Sequence, residues 1–438
     1  MKLIFIYGFN LPFFMELGEI LEENRMKNAK KSFEIAFAKY LVNRVATMKE
    51  IDVEEFKKEL RRIKEFSIEN LDSLKRKAIK NLENQGIKVF EAENAKEARR
   101  ITFELIPEKK TIVKSKSNVI NEIDLLEELE KRNEVIETDC GDFIVKICEE
   151  EEVHPITPAL HIPIEKIVEE IKKKFNVELK KSPIDVVEWI RNHIRKEILR
   201  AEIGITGANV ISSDGGIFIV ENEGNISLIS RIPEKHIIIT SIDKIVPTLQ
   251  DAVAICKALA IWGTGMSLPT YINIISSPSK TADIQKETVY GIHGAKEVYL
   301  VLVDNGRSKI IESGLKEILY CINCGSCLYF CPVYRQIFDS YGFKYFAGRG
   351  IGLISFIFGI EKAFERGLYY CTMCSACKEN CPLSIDVPSL IRRLREIAVK
   401  KNLTTEVNLK MNENLETFGN PFGEEVKNEK IPDKLYCC

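Results

Sequence analysis

The chain has 438 residues, 45% of them hydrophobic, and its 63 basic and 65 acidic residues give a net charge of −2. That length is enough for two or three domains. The composition excludes a disordered chain and, lacking any excess of positive charge, a protein that grips a nucleic-acid backbone. Gln occurs only four times while Lys, Glu and Ile abound, a composition associated with work at high temperature.

In chain order, residues 1–15 are apolar but include Asn10, carry a single Lys and lack a small-residue cleavage site. They fall short of the roughly 20 apolar residues that span a bilayer. They read as a buried strand, or as sequence ahead of a true start at Met15 or Met26. The expectation is a cytoplasmic protein that reaches membranes only through partners and keeps its cysteines reduced. Residues 15–85 alternate charged and apolar positions at helical intervals and predict two or three amphipathic helices.

After them GIKVFEA, TIVKSKS, EVIETDC and DFIVKI read as short β runs. They alternate with helical stretches such as NAKEARRITFELI and NVINEIDLLEELEKR. That alternation predicts an α/β domain with a largely parallel sheet. Residues 203–311 are richer in strands: GGIFIVEN, ISLISRI, KHIIITSI, TYINIIS and VYLVLVD. Phe218, Val220, Leu228 and Ile237 to Ile239 belong to the core rather than to a cofactor box. The glycine-rich stretch from Gly204 to Gly216 is not G-x-G-x-x-G at a strand–helix junction, so nucleotide binding is rejected there. From about Ser313 the pattern is helical, and from about Asn402 a polar tail follows.

Of thirteen cysteines, Cys140, Cys148 and Cys256 are scattered and the other ten lie from Cys321 onwards. Eight form two runs: Cys321, Cys324, Cys327 and Cys331 before Pro332, and Cys371, Cys374, Cys377 and Cys381 before Pro382. Both follow C-x2-C-x2-C-x3-C-P, in which three thiolates wrap one cubane and the fourth ligates the other. The spacing therefore assigns one 4Fe–4S cluster to Cys321, Cys324, Cys327 and Cys381, and a second to Cys371, Cys374, Cys377 and Cys331. Zinc sites instead join two C-x2-C pairs through a longer gap. The segment between Cys331 and Cys371 exceeds what a compact ferredoxin needs and has apolar residues for two helices. An α-helical ferredoxin module is expected, of the kind that serves as an electron relay.

Elsewhere candidates are weaker. Lys114-Ser115-Lys116-Ser117 offers charge and hydroxyls to a carboxylate or phosphate, or is a solvated turn. Glu137 and Asp139 are candidate general bases. His154, His161, His236 and His293 have no Cys or carboxylate at metal spacing and read as hydrogen-bonded scaffold rather than ligands. No residue is singled out as a catalyst.

The segments at 114–117, 137–142, 154–161, 204–209, 223–225, 244–248, 279–284, 291–294 and 304–307, with Pro233 and His236, carry a resemblance. The chain resembles the lactate-utilisation iron–sulfur proteins of the LutB type, in which a LUD domain precedes a two-cluster ferredoxin module. The resemblance covers about residues 75–395. It implies an α/β LUD domain similar to sugar isomerases and CoA transferases, and an electron-transfer subunit for NAD-independent oxidation of L-lactate or a similar 2-hydroxy acid. The division expected is 1–74 helical, 75–311 LUD, 312–401 α-helical ferredoxin and 402–438 tail. An alternative is a LUD domain that is itself an enzyme on a small anionic, phosphorylated or CoA-linked substrate, with the clusters as conduit or sensor. The tail from Asn408 to Gly423 resembles the linker that, in heterodisulfide-reductase-like relatives, leads into cysteine-rich CCG domains. A CCG protein or a flavoprotein is thus the expected partner, with Cys437 and Cys438 as docking elements or idle thiols of a frayed end.

Overall fold

The computed structural model describes residues 24–424; residues 1–15 and the pair Cys437 and Cys438 lie outside the described residues. Three helices open the described residues: α1 (Asn24–Met48), α2 (Val53–Glu69) and α3 (Leu71–Asn84). Helix α2 begins where it does because the Asp52 carboxylate accepts the Glu55 N–H at 3.0 Å, with Glu54 and Glu55 favouring the positive end of the helix dipole. It buries Leu60, Ile63, Lys64, Ser67 and Ile68, a single face at helical spacing.

The α/β domain is built on six parallel strands: β1 (Lys88–Ala92), β2 (Thr111–Lys114), β3 (Glu134–Glu137), β4 (Ile203–Thr206), β5 (Lys235–Ser241) and β6 (Glu297–Val303). Their spatial order is β1-β6-β5-β4-β2-β3. Alternate residues of β5 and β6 serve opposite layers. Ile237, Ile239, Val301 and Val303 enter one core, while Ile238, Val298, Leu300 and Leu302 enter the other. Such continuously apolar strands belong to a parallel sheet covered on both faces. After β2 the chain moves outward to β3; after β4 it moves the other way to β5. The carboxyl ends of β2 and β4 therefore form the switch point, where open α/β sheets bind ligands. A four-stranded sheet, with strands Ile245–Val246, Val210–Ser212, Gly216–Glu221 and Tyr271–Ile275 in that order, stands beside it.

Two expected strands are helices. DFIVKI lies in Cys140–Ile147, because the Asp139 side chain accepts the Asp142 N–H at 3.0 Å and starts a helix at once. ISLISRI begins as the helix Asn225–Ile229: Gly224 turns into it at φ +86°, and the Glu221 carboxylate takes the otherwise unpaired N–H groups of Ile226 and Ser227. A Cβ on Gly204 would stand 2.0 Å from the Ile229 carbonyl oxygen, so this glycine serves the packing of β4 on that helix.

The cysteine runs are framed by α4 (Leu249–Thr264), α5 (Ala347–Ile357) and α6 (Val387–Lys400), with a short helix Ile360–Glu365 after α5. One hydrophobic core joins Phe33 and Tyr40 of α1, Leu60 of α2, Trp262 of α4, Tyr329, Tyr334, Ile354 and Ile391. The N-terminal helices and the cysteine-bearing module thus share a core. A buried charge network ties this module to the sheet domain. Arg307, 2% exposed, donates from Nε to Asp243 at 2.6 Å and from its two terminal nitrogens to the Glu122 oxygens at 2.9 and 2.7 Å. Tyr345 completes Glu122 from the cysteine-bearing side. The tail contains a helix, α7 (Glu406–Phe418), capped by Thr405 and ended by Gly419. Among the described residues no helix is long and apolar enough to cross a membrane.

Candidate metal centre and adjoining cavity

The two cysteine runs fold alike. Each places left-handed residues at matching positions, Asn323 and Gly325 in the first and Met373 and Ser375 in the second. Each then enters a one-turn helix, Ser326–Phe330 or Ala376–Glu379. These turns wind the chain around the thiols, and the two short helices pack on each other. Ser326 Oγ donates to the Asn380 carbonyl at 3.1 Å, tying the first run to the second. Backbone N–H groups point at sulfur: Asn323 at Cys321 (3.3 Å), Tyr334 at Cys331 (3.5 Å) and Leu383 at Cys381 (3.4 Å). Such donors favour the charged thiolate.

The thiols group across the runs. Burial, then the negative charges of Cys381 and Cys321, push the Cys324 thiol well up. Burial pushes Cys377 up to about 12, with Cys371, Cys331 and Cys374 adding to it. Cys331 is pushed up to about 11 by burial, with Cys371 and Cys374 adding, and Cys381 to about 11, with Cys321 adding. Cys381 acts on Cys324 and Cys331 acts on Cys377, while Cys327 feels Cys377 and Cys381 besides its own run, so the two runs' thiols lie close together. Buried thiols that raise each other's pKa can all be thiolates only around a cationic load, as in a metal cluster. Among the described residues no three His, Cys, Asp or Glu side chains close on the single point a lone metal ion needs; the thiols are grouped without converging. The donor set is all sulfur, the set that suits iron–sulfur clusters.

The groups differ in setting. The first is enclosed: the Tyr40 hydroxyl lies 3.1 Å from Ser326 Oγ, Arg44 donates to that oxygen at 3.2 Å, and Lys244 approaches the Cys321 carbonyl at 3.5 Å. The second opens outward, with Thr372, Met373 and Cys374 exposed.

At the switch point lies a cavity of about 340 Å³, within the range of small-molecule sites. Its walls come from the loops after β2 (Ser115 to Val119) and β4 (Gly207 to Asn209), from Glu221 and Glu223, and from Ile322, Asn323 and Cys324 of the first cysteine run. The sheet's ligand crevice therefore ends against the first thiol group.

The sequence candidates are distributed unevenly around it. Lys114 is not a ligand group and not a solvated turn: it stands opposite Glu137 in the β2–β3 register and binds both its oxygens at 2.8 Å, with both side chains buried. Glu137 is thereby unavailable as a base. Lys116 lines the cavity but already holds Asp142 at 2.8 Å and Glu152 at 3.0 Å. Asp139 lines the cavity too, its carboxyl raised by burial and by Asp142. Glu223 sits exposed at the mouth, yet the surrounding protein, and then Asp139, push it up to about 7. Sequence reasoning did not single out Glu223 or Asn209; both lay in family-like segments, which was the one available signal. Cation charge in these walls is matched by carboxylates, so they favour a ligand with hydrogen-bond donors over a bare anion.

His154 and His236 are fully buried and held neutral, their pKa values pushed down to about 3 by burial. His154 Nδ1 accepts the Ile156 N–H at 3.2 Å, and His236 Nε2 pairs with Thr206 Oγ1 at 2.8 Å. His161 lies buried 3.7 Å from Glu150, and His293 is exposed. None of the four lines the thiol groups.

Comparison with known proteins fits this arrangement. A family model for the LUD domain matches residues 75–303, and one for a 4Fe-4S dicluster domain matches residues 317–385. The molecule is an iron–sulfur protein in which a parallel α/β LUD domain carries a helical cysteine-run module. The chain belongs to the family of proteins named Lactate utilization protein B. That of Bacillus cytotoxicus is 32% identical over 391 residues, 88% of this chain and 80% of the relative. That of Geobacillus thermodenitrificans is 33% identical over 401 residues, 90% of this chain and 81% of the relative. Among solved structures, a DUF162 family protein from Deinococcus radiodurans covers 53% of this chain and 98% of its own, at 13% identity and a TM-score of 0.30.

Proposed function

We propose that this protein is a cytoplasmic electron-transfer subunit holding two 4Fe–4S clusters in a complex that oxidises L-lactate or a related 2-hydroxy acid without NAD. The observation that carries the reading is the pair of like-folded cysteine runs, each wound by left-handed residues into a one-turn helix and packed on the other; a crosswise exchange of Cys381 and Cys331 between the clusters is part of the proposal. The names of the relatives supply the substrate class. When bound, a 4Fe–4S cluster accepts and releases one electron at a potential set by charge, hydrogen bonds and exposure. The chain's own part is to hold the thiolates, cover the first group with α1 and α4 except where Cys324 meets the cavity, and leave the second accessible at Thr372 to Cys374. A CCG-type cysteine-rich protein or a flavoprotein is the partner class, and residues 405–438 are the segment proposed to dock it.

The test is anaerobic purification with co-purifying subunits, then iron and sulfide analysis and EPR. About eight irons per chain, reduced on adding L-lactate to the complex, is expected. Zinc, no acid-labile sulfide, or no reduction by any hydroxy acid overturns the reading. Pull-downs with and without residues 405–438 should differ in the recovered redox partner.

A second reading is favoured by the cavity, which joins the LUD switch point to Cys324: the LUD domain binds, and acts on, a small substrate beside the first cluster. Lys116→Met and Glu223→Gln discriminate. Lost turnover with clusters intact supports a substrate site, and unchanged turnover leaves the relay alone.

A further inference from the structure

Two buried donors in the second cysteine group have no oxygen or nitrogen acceptor in the protein. Tyr341 is 1% exposed and its hydroxyl has no oxygen or nitrogen partner, the Cys371 sulfur being the acceptor it faces; Arg349 is 8% exposed and its Nε has no partner. Both line the same narrow opening as Cys331, Cys371, Cys374 and Cys377, with Cys327 of the first run also in its wall. Unpaired buried donors are costly, so a fold keeps them where a ligand supplies the acceptor.

Their placement is built in. The Tyr341 backbone is fixed at both ends, by its N–H to the Phe338 carbonyl at 3.0 Å and by the Ala347 N–H to its own carbonyl at 2.9 Å. Two glycines leave room for its side chain. A Cβ on Gly367 would stand 2.9 Å from the ring, and one on Gly348 would stand 3.4 Å from the hydroxyl. Thiolate charge at Cys371 and Cys331 acts on this hydroxyl after burial does, which places it on the sulfur side of the opening. Arg349 forms no salt bridge among the described residues, and its guanidinium lies 5.7 Å from the Tyr345 ring centre. In the first group the comparable polar side chains are satisfied: Arg44, Tyr40 and Ser326 bond one another, and Ser326 reaches Asn380.

We infer that Tyr341 and Arg349 are positioning donors for the second cluster: the tyrosine hydroxyl hydrogen-bonds a sulfur on its Cys371 side and the guanidinium supplies an uncompensated positive charge, together raising that cluster's reduction potential. Hydrogen bonds to sulfur and nearby positive charge stabilise the more negative, reduced state. The inference rests on the two-cluster reading. It concerns the group with the exposed cysteine, where solvent and partner would otherwise set the potential.

The experiment is an EPR-monitored redox titration of the full-length, anaerobically reconstituted chain. C374S, altered at the exposed cysteine, identifies the second cluster's signal. In Tyr341→Phe with full iron, the second midpoint is expected to move to more negative potential while the first stays in place. An exchangeable proton coupled to the cluster, seen by comparison in D2O, is expected to vanish. Arg349→Gln should shift the same midpoint in the same direction, and Arg349→Lys should restore much of it. If Tyr341→Phe does not load iron, the Arg349 pair carries the test alone. An unmoved second midpoint, or equal movement of both midpoints, overturns the inference. Fewer than about eight irons in the wild-type chain would instead overturn the two-cluster reading.

Discussion

Gly263 of α4 and Cys324 of the first cysteine run meet at the seam between the LUD domain and the helical module: a Cβ on Gly263 would stand 3.1 Å from the Cys324 carbonyl oxygen. Both residues line the cavity at the switch point. A side chain there must push the loop that carries the thiol. Gly263→Ala should be tolerated with a small loss, because a shift of a few tenths of an ångström relieves it. Gly263→Val should impair loading of the first group, read as a loss of about half the iron per chain with the far-ultraviolet spectrum unchanged. Full iron in the valine variant would show that the seam is slack.

The crosswise grouping makes opposite predictions for two serine substitutions. Cys331→Ser should damage the second cluster, although Cys331 belongs to the first run, and Cys381→Ser should damage the first. EPR of the two variants, with C374S as reference for the second cluster, checks this. If each serine harms the cluster of its own run, the interleaving is wrong.

Arg307 is fully buried between Glu122 and Asp243, whose carboxyl it and Lys244 hold well below the usual carboxylate range against the opposing effect of burial. Arg307→Leu leaves two buried carboxylates short of a partner and should cost about 3–5 kcal/mol. Tyr345→Phe removes only one donor to Glu122 and should cost about 1–3 kcal/mol. Anaerobic urea denaturation measures both. A loss under 1 kcal/mol for Arg307→Leu would mean that water replaces the guanidinium.

Buried His154 and His236 give the fold a definite acid response. As pH falls below about 6.5 the unfolded chain protonates each imidazole, whereas the folded chain holds both neutral to about 3. Stability contributed by each is therefore present above 6.5 and is lost towards pH 3, by at most about 1.4 kcal/mol per pH unit per histidine. His236→Asn should lose one of these slopes. Denaturation curves of wild type and variant between pH 5 and 7 should converge as pH falls; parallel curves would show that His236 takes up a proton in the fold.

What the sequence made legible follows from how local each signal is. The cysteine spacing is a covalent pattern, so the two runs could be read directly, and β5 and β6 announce themselves as unbroken apolar runs. DFIVKI and ISLISRI were misread because their apolar content suits a strand and one preceding group, Asp139 or Glu221, decides for helix. The fate of Lys114 depended on the β2–β3 register, which places Glu137 opposite it; no pattern within TIVKSKS reports that. Gly263, Glu223, Tyr341 and Arg349 gain their meaning only when segments far apart in the chain close together.

The shared core has a consequence for how the molecule is made. Phe33 and Tyr40 of α1 pack on Tyr329, and Tyr40 and Arg44 reach Ser326, close to three hundred residues further along. During synthesis the first helix emerges long before the segment it needs, with its aromatic face bare to water and to chaperones. Cys381, the fourth thiol of the group beneath that helix, emerges later still. On the proposed reading the first group can be filled only after Cys381 has been made, and its closure joins segments 282 and 286 residues apart.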